Sequence, residues 1–534
     1  MKKYFSFFAI VFCALSLTAQ VHISVDDFRS WSAQQLAPYI GQTVVFDVPM
    51  VVCSNANGKY TVAPWRRFVP DNQGFAGSDE YNETVRMNGA ANIALNGVSA
   101  YHRCGEKIYN LRATVNSTSS LSWQGGEWRG NTRDELEKAD LREMVGIDGC
   151  DSCLLVCGFN LENYYMTWGS MGARSYADHQ DQRAKISKAL KKINADIYGL
   201  VELQQGNEAV EEITADLNKN IPGRNYKHFN DPSSGTSQAV GFVYDANKVE
   251  PIGTPAETDV ELLYRKKMIC FRQIANGEKF IYSINHFKSM NTGGADRREN
   301  EARAVIKLYN SYRQNPNIRD NDALVMGDLN CYAKTKPVSV FLNNGLIDLH
   351  RAFHADSSYS YMFGGLASYI DHAICSEPMY RQVMGMTAFH INSDEDDAYT
   401  YDKSSDLSMF RCSDHDPVLV GLRLDSTLSQ TFKPYFNGAE MGADSLSFYY
   451  VYTSNEEPVV YFDLYSINGI PICPPTKIIY NGDIFEKHTK YYTLKDQNDN
   501  LPEEIKRFLP LQPGLYVLRF YYNGTVTSHK LIVR

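Results

Sequence analysis

The sequence predicts a layered α/β domain set between two β-rich segments. Three observations carry this. Strand-like apolar runs alternate with helically spaced ones between residues 149 and 425, and short β-type runs parted by polar turns lie on either side. The third is a set of six polar motifs, each ending or interrupting an apolar run of the central segment. In order they are FNLEN at Asn160, LVEL at Glu202, NHFKS at His286, GDLN at Asp328 and Asn330, YIDH at Asp371, and SDHDP at Asp414 to Asp416. Polar groups at strand ends can converge on one edge of a sheet, so residues remote in sequence can share a site.

A chain of 534 residues is too long for one ordinary domain, and three suit it better. Its net charge of −9 argues against gripping nucleic acid by bulk electrostatics, but not against an enzyme that turns over a polyanion. Residues 1–20 read as a signal peptide: Lys2 and Lys3, an apolar run from Tyr4 to Leu17, then Thr18-Ala19-Gln20. That run is short for a membrane span and nothing later is apolar enough, so no transmembrane segment is expected. The expected location is secreted or cell surface. All of the eleven cysteines but Cys13 follow the leader, in a compartment where disulfides persist. Cys53 with Cys104, and Cys331 with Cys375, are candidate pairs. Cys150, Cys153 and Cys157 lack the second matched pair of a tetrahedral zinc site.

In residues 21–148, Gly41–Asn55, Lys59–Phe68 and Glu106–Val115 read as strands of a small β-barrel or sandwich. The GQTV opening followed by a long strand resembles the oligonucleotide-binding barrel (OB-like). Trp65, Arg66, Arg67 and Phe68 would then suit base stacking and phosphate contact; a spacer or folding module is the alternative. Residues 149–425 hold strands at Leu154–Phe159, Ile197–Leu203, Phe280–Phe287, Ala323–Asn330, Ser368–Cys375 and Pro417–Leu424. Helices are expected at Asp181–Asn194 and Arg297–Tyr312. Residues 426–438 read as a linker, and 439–534 as a β-sandwich. Its LYSING, PGLY and final KLIVR segments resemble the C-terminal sorting domain of Bacteroidetes type IX secretion cargo, with a plain immunoglobulin-like domain as the alternative.

The motif residues suit metal-assisted phosphodiester hydrolysis. That reaction needs a cation on the phosphate oxygens, an oriented water and a stabiliser for the departing alkoxide. Magnesium takes oxygen ligands and few protein carboxylates. Glu202 is the first ligand candidate, Asn160 and Asp414 complete the shell, and Glu162 is a weaker candidate. Asp328 and Asn330, two apart in extended backbone, point the same way. Asp328 is expected to orient or deprotonate the nucleophile, with Asn330 holding a phosphate oxygen or that water. Asp371 is expected to take a ring proton of His415 and raise its pKa. His286, with Lys288 nearby, is the second histidine; which of the two serves the leaving group is open. His372 should face the other side of its strand, and His390 is unassigned. Arg297 and Arg298, after Gly293-Gly294, are candidates for flanking phosphates.

With these residues in place the central segment resembles the endonuclease/exonuclease/phosphatase superfamily, which includes pancreatic-type deoxyribonuclease and abasic-site endonucleases. INHFKSM, MGDLNCYAKTKPVSVF, YSYMFGGLASYIDHAI, FHINSDE and SDHDPVLVGL are similar to the secreted bacterial extracellular nucleases within it. The resemblance implies a four-layered α/β sandwich, often behind a barrel domain. It also implies a magnesium requirement assisted by calcium or manganese, and cleavage of DNA with little sequence preference. MNTGGADRR replaces a usual longer glycine loop, which bears on substrate grip. The expectation is an exported nuclease acting on extracellular DNA, with RNA as a further substrate and the outer-membrane secretion machinery as a partner. One alternative is a phosphodiesterase acting on a phospholipid (sphingomyelinase-like) or a sugar phosphate. A lipid-directed enzyme should show an exposed aromatic hairpin, and none is clear in the sequence. Another is a non-catalytic adhesion protein.

Overall fold

The computed structural model describes residues 21–25 and 32–425, apart from 91, 170, 232–234, 236, 259–264 and 355–356. Beyond these it describes 447–451, 461–466, 468–477, 489–493, 511, 514–522 and 525–533. The expected leader at 1–20 and linker at 426–438 lie outside the described residues. No helix among the described residues is long and apolar enough to cross a membrane.

In the N-terminal segment, five strands pair in a ring. Met50–Ser54 pairs with Tyr60–Ala63 and with Lys107–Ser117; Ile93–Asn96 joins Tyr60–Ala63 to Ser120–Arg129, which closes onto Lys107–Ser117. The inward residues of Lys107–Ser117 are Ile108, Leu111, Ala113 and Val115. The odd step from Ile108 to Leu111 is absorbed by a bulge at Asn110, whose φ of 50° shifts the register. The single strand expected over Gly41–Asn55 breaks at Asp47–Pro49 into Thr43–Phe46 and Met50–Ser54, because proline donates no ladder hydrogen bond. Of Lys59–Phe68 only Tyr60–Ala63 is strand.

The central segment is mixed α/β, built on two six-stranded sheets. The first has the order Tyr226–His228, Gln238–Asp245, Ile197–Gln204, Leu154–Tyr164, Val418–Leu422, Val383–Ala388. The second runs Val249–Glu257, Lys266–Gln273, Lys279–His286, Ala323–Asp328, Asp371–Ser376, Leu346–Asp348. Side-chain alternation sorts their residues into layers. Leu154 and Val156 pack between the sheets with Phe280, Tyr282, Ile284, Leu324 and Met326. Leu155, Cys157 and Phe159 face the helices Tyr176–Ile193 and Glu208–Asn220. On the far side, Ile281 and Val325 meet Ala295–Gln314. The result is helix, sheet, sheet, helix. The helix expected from Asp181 begins at Tyr176, where the Ser175 side chain accepts the Asp178 N–H, and it ends at Asn194 in the left-handed region with φ 47°.

The cysteines depart from expectation. Cys150 and Cys153 are disulfide-bonded, whereas Cys53, Cys104, Cys331 and Cys375 are buried and not joined in disulfides. Cys331 packs under the outer helix and Cys375 between the sheets, so the second sheet itself separates them.

In the C-terminal segment the described residues form a four-stranded antiparallel sheet, in the order Pro471–Lys477, Tyr461–Ser466, Gly514–Tyr522, Thr525–Val533, and a separate pair, Ser447–Val451 with Thr489–Thr493. Asp463 is buried there and accepts from Arg519 Nε at 2.8 Å.

Candidate active site

The alternation that fills the space between the sheets also builds the site. On Lys279–His286 the inward residues are Phe280, Tyr282 and Ile284, and the next on that side is His286. On Ala323–Asp328 they are Leu324 and Met326, then Asp328. On Asp371–Ser376, Ala373 and Cys375 place Asp371 on the same side. Register sets His286 opposite Asp328 and Asp328 opposite Asp371. From the other sheet Asn160, in step with Leu154 and Val156, donates to Asp328 Oδ2 at 3.2 Å. Gly327 makes the close approach possible. Its φ is 115°, and a Cβ there would collide with the Asn285 carbonyl.

Glu202 breaks the rule. Tyr198 and Leu200 face the helices, so simple alternation would send Glu202 there too. Its φ of 64° interrupts the strand and turns the carboxylate to the inter-sheet edge. Glu162, Asn163 and Asn330 also sit in the left-handed region, at φ 54°, 55° and 47°. Such backbone costs an L-residue roughly 1–3 kcal/mol and persists only where surrounding contacts impose it. Here the Asn163 N–H donates to Glu202 Oε2 at 2.9 Å, and Asn330 N–H to Asp328 Oδ1 at 2.8 Å.

Two clusters result. Glu202, His286 and Asp328 offer ligand atoms all within 4.8 Å of one another, with His286 Nε2 3.5 Å from Glu202 Oε1 and 3.7 Å from Asp328 Oδ2. Beside them His415 Nδ1 lies 2.8 Å from Asp371 Oδ2, which also accepts from Ser360 Oγ at 2.8 Å. Asp414 Oδ1 is 3.8 Å from His415 Nε2.

The electrostatics separate the two histidines. Burial alone would lower the pKa of His415, but Asp371, Asp414 and Asp328 outweigh it and hold the ring protonated well above its ordinary range. His286 is pushed well below that range, first by burial and then by Arg265 and His415. Asp328 is raised to about 7 by burial and by its neighbours Asp371 and Glu202, with His415 opposing. Glu162 is raised to about 8 by burial and by Asp414, and its buried Oε2 has no hydrogen-bond partner among the described residues. Acids crowded at one largely buried edge, each raising the cost of its neighbour's charge, fit a divalent cation. Glu202, His286 and Asp328 would hold one, and Glu162 beside Glu202 is a spare carboxylate.

The expected ligands Asn160, Glu202 and Asp414 all lie beside the site. Glu202 belongs to the cluster. Both ends of the Asn160 amide are engaged, Nδ2 with Asp328 and Oδ1 with the Glu162 N–H at 3.0 Å, so it braces the acids. Asp414 stands outside the three-residue group, beside His415. Asn330 Nδ2 donates to Asp328 Oδ2 at 3.1 Å. His372 faces away, its Nε2 2.8 Å from the Cys331 carbonyl, and His390 Nδ1 is 2.9 Å from the buried carboxylate of Asp416.

Arg298 is a correction. It is buried, and its Nη1 donates to the carbonyls of Lys288, Ser289 and Gly293, bracing the glycine turn rather than facing a phosphate. Arg298→Met is therefore expected to lower the free energy of unfolding by about 1–3 kcal/mol, and Arg297→Met by under about 0.5, read by urea titration. Arg297 is half-buried, with Nε 3.7 Å from Glu301, and the Lys288 N–H donates to the same carboxylate at 2.9 Å. Trp65–Phe68 is a second correction. Arg66 pairs with buried Asp394, and Phe68 bridges Ala367, so the stretch lies against the central domain and is not a free stacking platform.

Sequence reasoning missed Arg265 and Tyr361. Arg265 is buried near Glu202 and Asp328, and its Nη2 donates to the Phe287 carbonyl at 2.9 Å. Tyr361 bridges His415 through the backbone and tilts its ring over the imidazole at 4.8 Å. The hairpin it begins, Tyr361–Phe363 with Leu366–Ser368, carries Phe363 at 71% exposure. An exposed aromatic hairpin therefore exists, and the sequence hid it in the MFGGLA run.

Residues 157–415 match the model of the Endonuclease/Exonuclease/phosphatase family. None of the curated proteins matches the chain. Among solved structures it is similar to an endonuclease/exonuclease/phosphatase of Bacteroides vulgatus, at 15% identity and TM-score 0.38, over 51% of this chain and 99% of that one. A family protein of Bacteroides thetaiotaomicron matches at 19% identity and TM-score 0.37, over 51% and 95%. The human Nocturnin catalytic domain matches at 14% and 0.38, over 51% and 95%. Residues 157–415, with their two sheets and the acids and histidines gathered at one edge, are a domain of the endonuclease/exonuclease/phosphatase family.

Proposed function

We propose that the protein is an exported, divalent-metal-dependent nuclease that hydrolyses phosphodiester bonds of DNA, with RNA as a further substrate. The observation that carries this is the buried Glu202–His286–Asp328 cluster set beside the Asp371–His415 pair. A bound cation, taken here as magnesium with manganese or calcium as substitutes, would neutralise charge on the phosphate oxygens. The protein's own residues do the rest. Asp328, its carboxylate fixed by the Asn330 amide, orients the attacking water and takes its proton. Protonated His415, oriented by Asp371, donates toward phosphate or leaving oxygen, and His286 stays neutral. The C-terminal segment is taken as a secretion sorting domain and residues 1–20 as the leader. The five-strand ring supports an OB-like barrel whose role is docking.

A second reading is favoured by one observation. Phe363, exposed on a hairpin rooted at His415, suits insertion into a lipid surface. The two are separated by incubating the purified protein with plasmid DNA, RNA and sphingomyelin vesicles, with magnesium or with EDTA. Nicking of the plasmid that EDTA abolishes and Phe363→Ser leaves intact is the expected result. Turnover of vesicles alone, lost in Phe363→Ser, would replace the nuclease with a phospholipase.

A further inference from the structure

The acidic run Asp394-Glu395-Asp396-Asp397 follows His390 and precedes the SDHDP motif. Exposed, such a run would suggest a cation site. Instead its first two carboxylates are fully buried and face arginines of the N-terminal segment. Asp394 pairs with Arg66 and accepts from Asn131 Nδ2 at 2.7 Å. Glu395 pairs with Arg103 and with Arg133 Nη2 at 2.5 Å, and accepts from the Tyr101 hydroxyl at 2.6 Å. The backbone joins as well, with Cys104 N–H donating to the Asp394 carbonyl at 2.9 Å.

The same loop holds the back of the reacting pair. Asn392 Nδ2 donates to the His415 carbonyl at 2.6 Å, and the N–H groups of Asn392 and Ser393 donate to Asp416 Oδ1 at 2.8 and 2.9 Å. A second grip lies opposite. Val69 N–H donates to the Ala367 carbonyl at 2.9 Å, and Ala367 N–H to the Arg67 carbonyl at 2.8 Å. Ala367 belongs to the hairpin whose Tyr361 bridges His415. Just ahead of that hairpin, Ser360 accepts the Asp416 N–H through its carbonyl at 2.8 Å and donates to Asp371 through its hydroxyl.

We propose that Arg66, Arg103 and Arg133 are positioning residues of the active site, and that the N-terminal segment from Met50 to Arg133 is a clamp that sets the His415–Asp371 pair. The catalytic unit is then larger than the family domain. Two segments of the central domain, residues 358–368 and 388–397, are fixed from outside it, and both end on the backbone or carboxylates around His415. This rests on the reading of His415 and Asp371 as the reacting pair.

The test uses full-length Arg66→Gln, Arg103→Gln, Arg133→Gln and the conservative Arg103→Lys, assayed with magnesium on bis(p-nitrophenyl) phosphate and on plasmid DNA. The clamp predicts a kcat reduced about tenfold or more with KM within about twofold, and partial recovery in Arg103→Lys. Amide hydrogen exchange is read on the same proteins. Protection should fall in residues 358–368 and 388–397 while the ring strand Lys107–Ser117 keeps it. Where Arg103→Gln does not fold, the partly exposed Arg66 and Arg133 carry the test. Unchanged kcat and unchanged exchange in these segments would overturn the clamp, and so would loss of protection spread evenly over both domains. An inactive wild-type protein would instead fail the nuclease reading, leaving the exchange result to judge the clamp.

Discussion

His415→Ala lowers kcat by about 10³ to 10⁴-fold, with KM changed by less than about threefold. The magnitude combines a positioned proton donor, worth about 10²–10⁴, with the loss of a fixed positive charge at the reacting phosphate. KM is spared because the imidazolium acts on charge that develops in the transition state. Asp371→Asn gives the companion result, a shift in pH. Asp371 is the strongest of the groups that hold the His415 proton against burial. Without it the ring loses that proton at lower pH, so the alkaline limb of the kcat profile moves toward neutrality while acid-side activity is retained. The stability sign agrees. A histidine with a raised folded pKa contributes stability that is whole below about 6.5 and is lost as pH rises through the folded value. Urea unfolding should therefore show the Asp371–His415 contribution vanishing on the alkaline side and absent from Asp371→Asn. An alkaline limb that stays in place in Asp371→Asn would remove His415 from the role.

Much of this site was legible because strand parity is a local property. An alternating run that buries Phe280, Tyr282 and Ile284 fixes where His286 points, and the same holds for Asp328 after Leu324 and Met326 and for Asp371 ahead of Ala373 and Cys375. Asn160 obeyed the rule as well. Glu202 was singled out by its motif, yet its placement depends on a left-handed residue inside a strand that no propensity announces. Which groups hold a cation is not legible in the sequence for a related reason. Asn160 and His286 differ in which atoms remain free after local hydrogen bonding, and that is settled only by partners such as the Glu162 N–H. The family resemblance drew attention to the central segment and away from what touches it. Trp65–Phe68 has the composition of a nucleic-acid surface, and the buried carboxylate of Asp394, over 300 positions on, and the backbone of Ala367 convert it into a docking seam. Arg298 shows the same limit at short range. A glycine turn with positive φ at Gly293 and Gly294 leaves carbonyls that a nearby guanidinium satisfies.

Glu202→Gln should abolish cation-dependent hydrolysis and yet raise the stability of the metal-free protein. Glu202, raised by its surroundings and by Asp414, in turn raises the proton affinity of both Asp328 and Glu162. In the folded state Asp328 titrates near 7 against an ordinary carboxyl value of 3.8. A raised carboxyl pKa means the fold holds a proton that the unfolded chain has released. Its stability is therefore highest below about pH 4 and declines as pH rises toward 7. A divalent cation replaces that proton and reverses the decline, so the gain in Tm on adding magnesium should grow between pH 5 and 8. At a hundredfold excess over Kd the gain is about 2.7 kcal/mol, roughly 5–10 °C for a domain of this size. Differential scanning calorimetry with magnesium or EDTA across that pH range measures it. In Glu202→Gln the metal-free Tm should rise by a few degrees, the magnesium increment should disappear, and the pH slope should flatten. A metal-free Tm that falls instead would mean the carboxylate holds the strand bulge through the Asn163 N–H more strongly than its charge opposes it. A magnesium increment that survives in Glu202→Gln would place the cation elsewhere than on Glu202, His286 and Asp328.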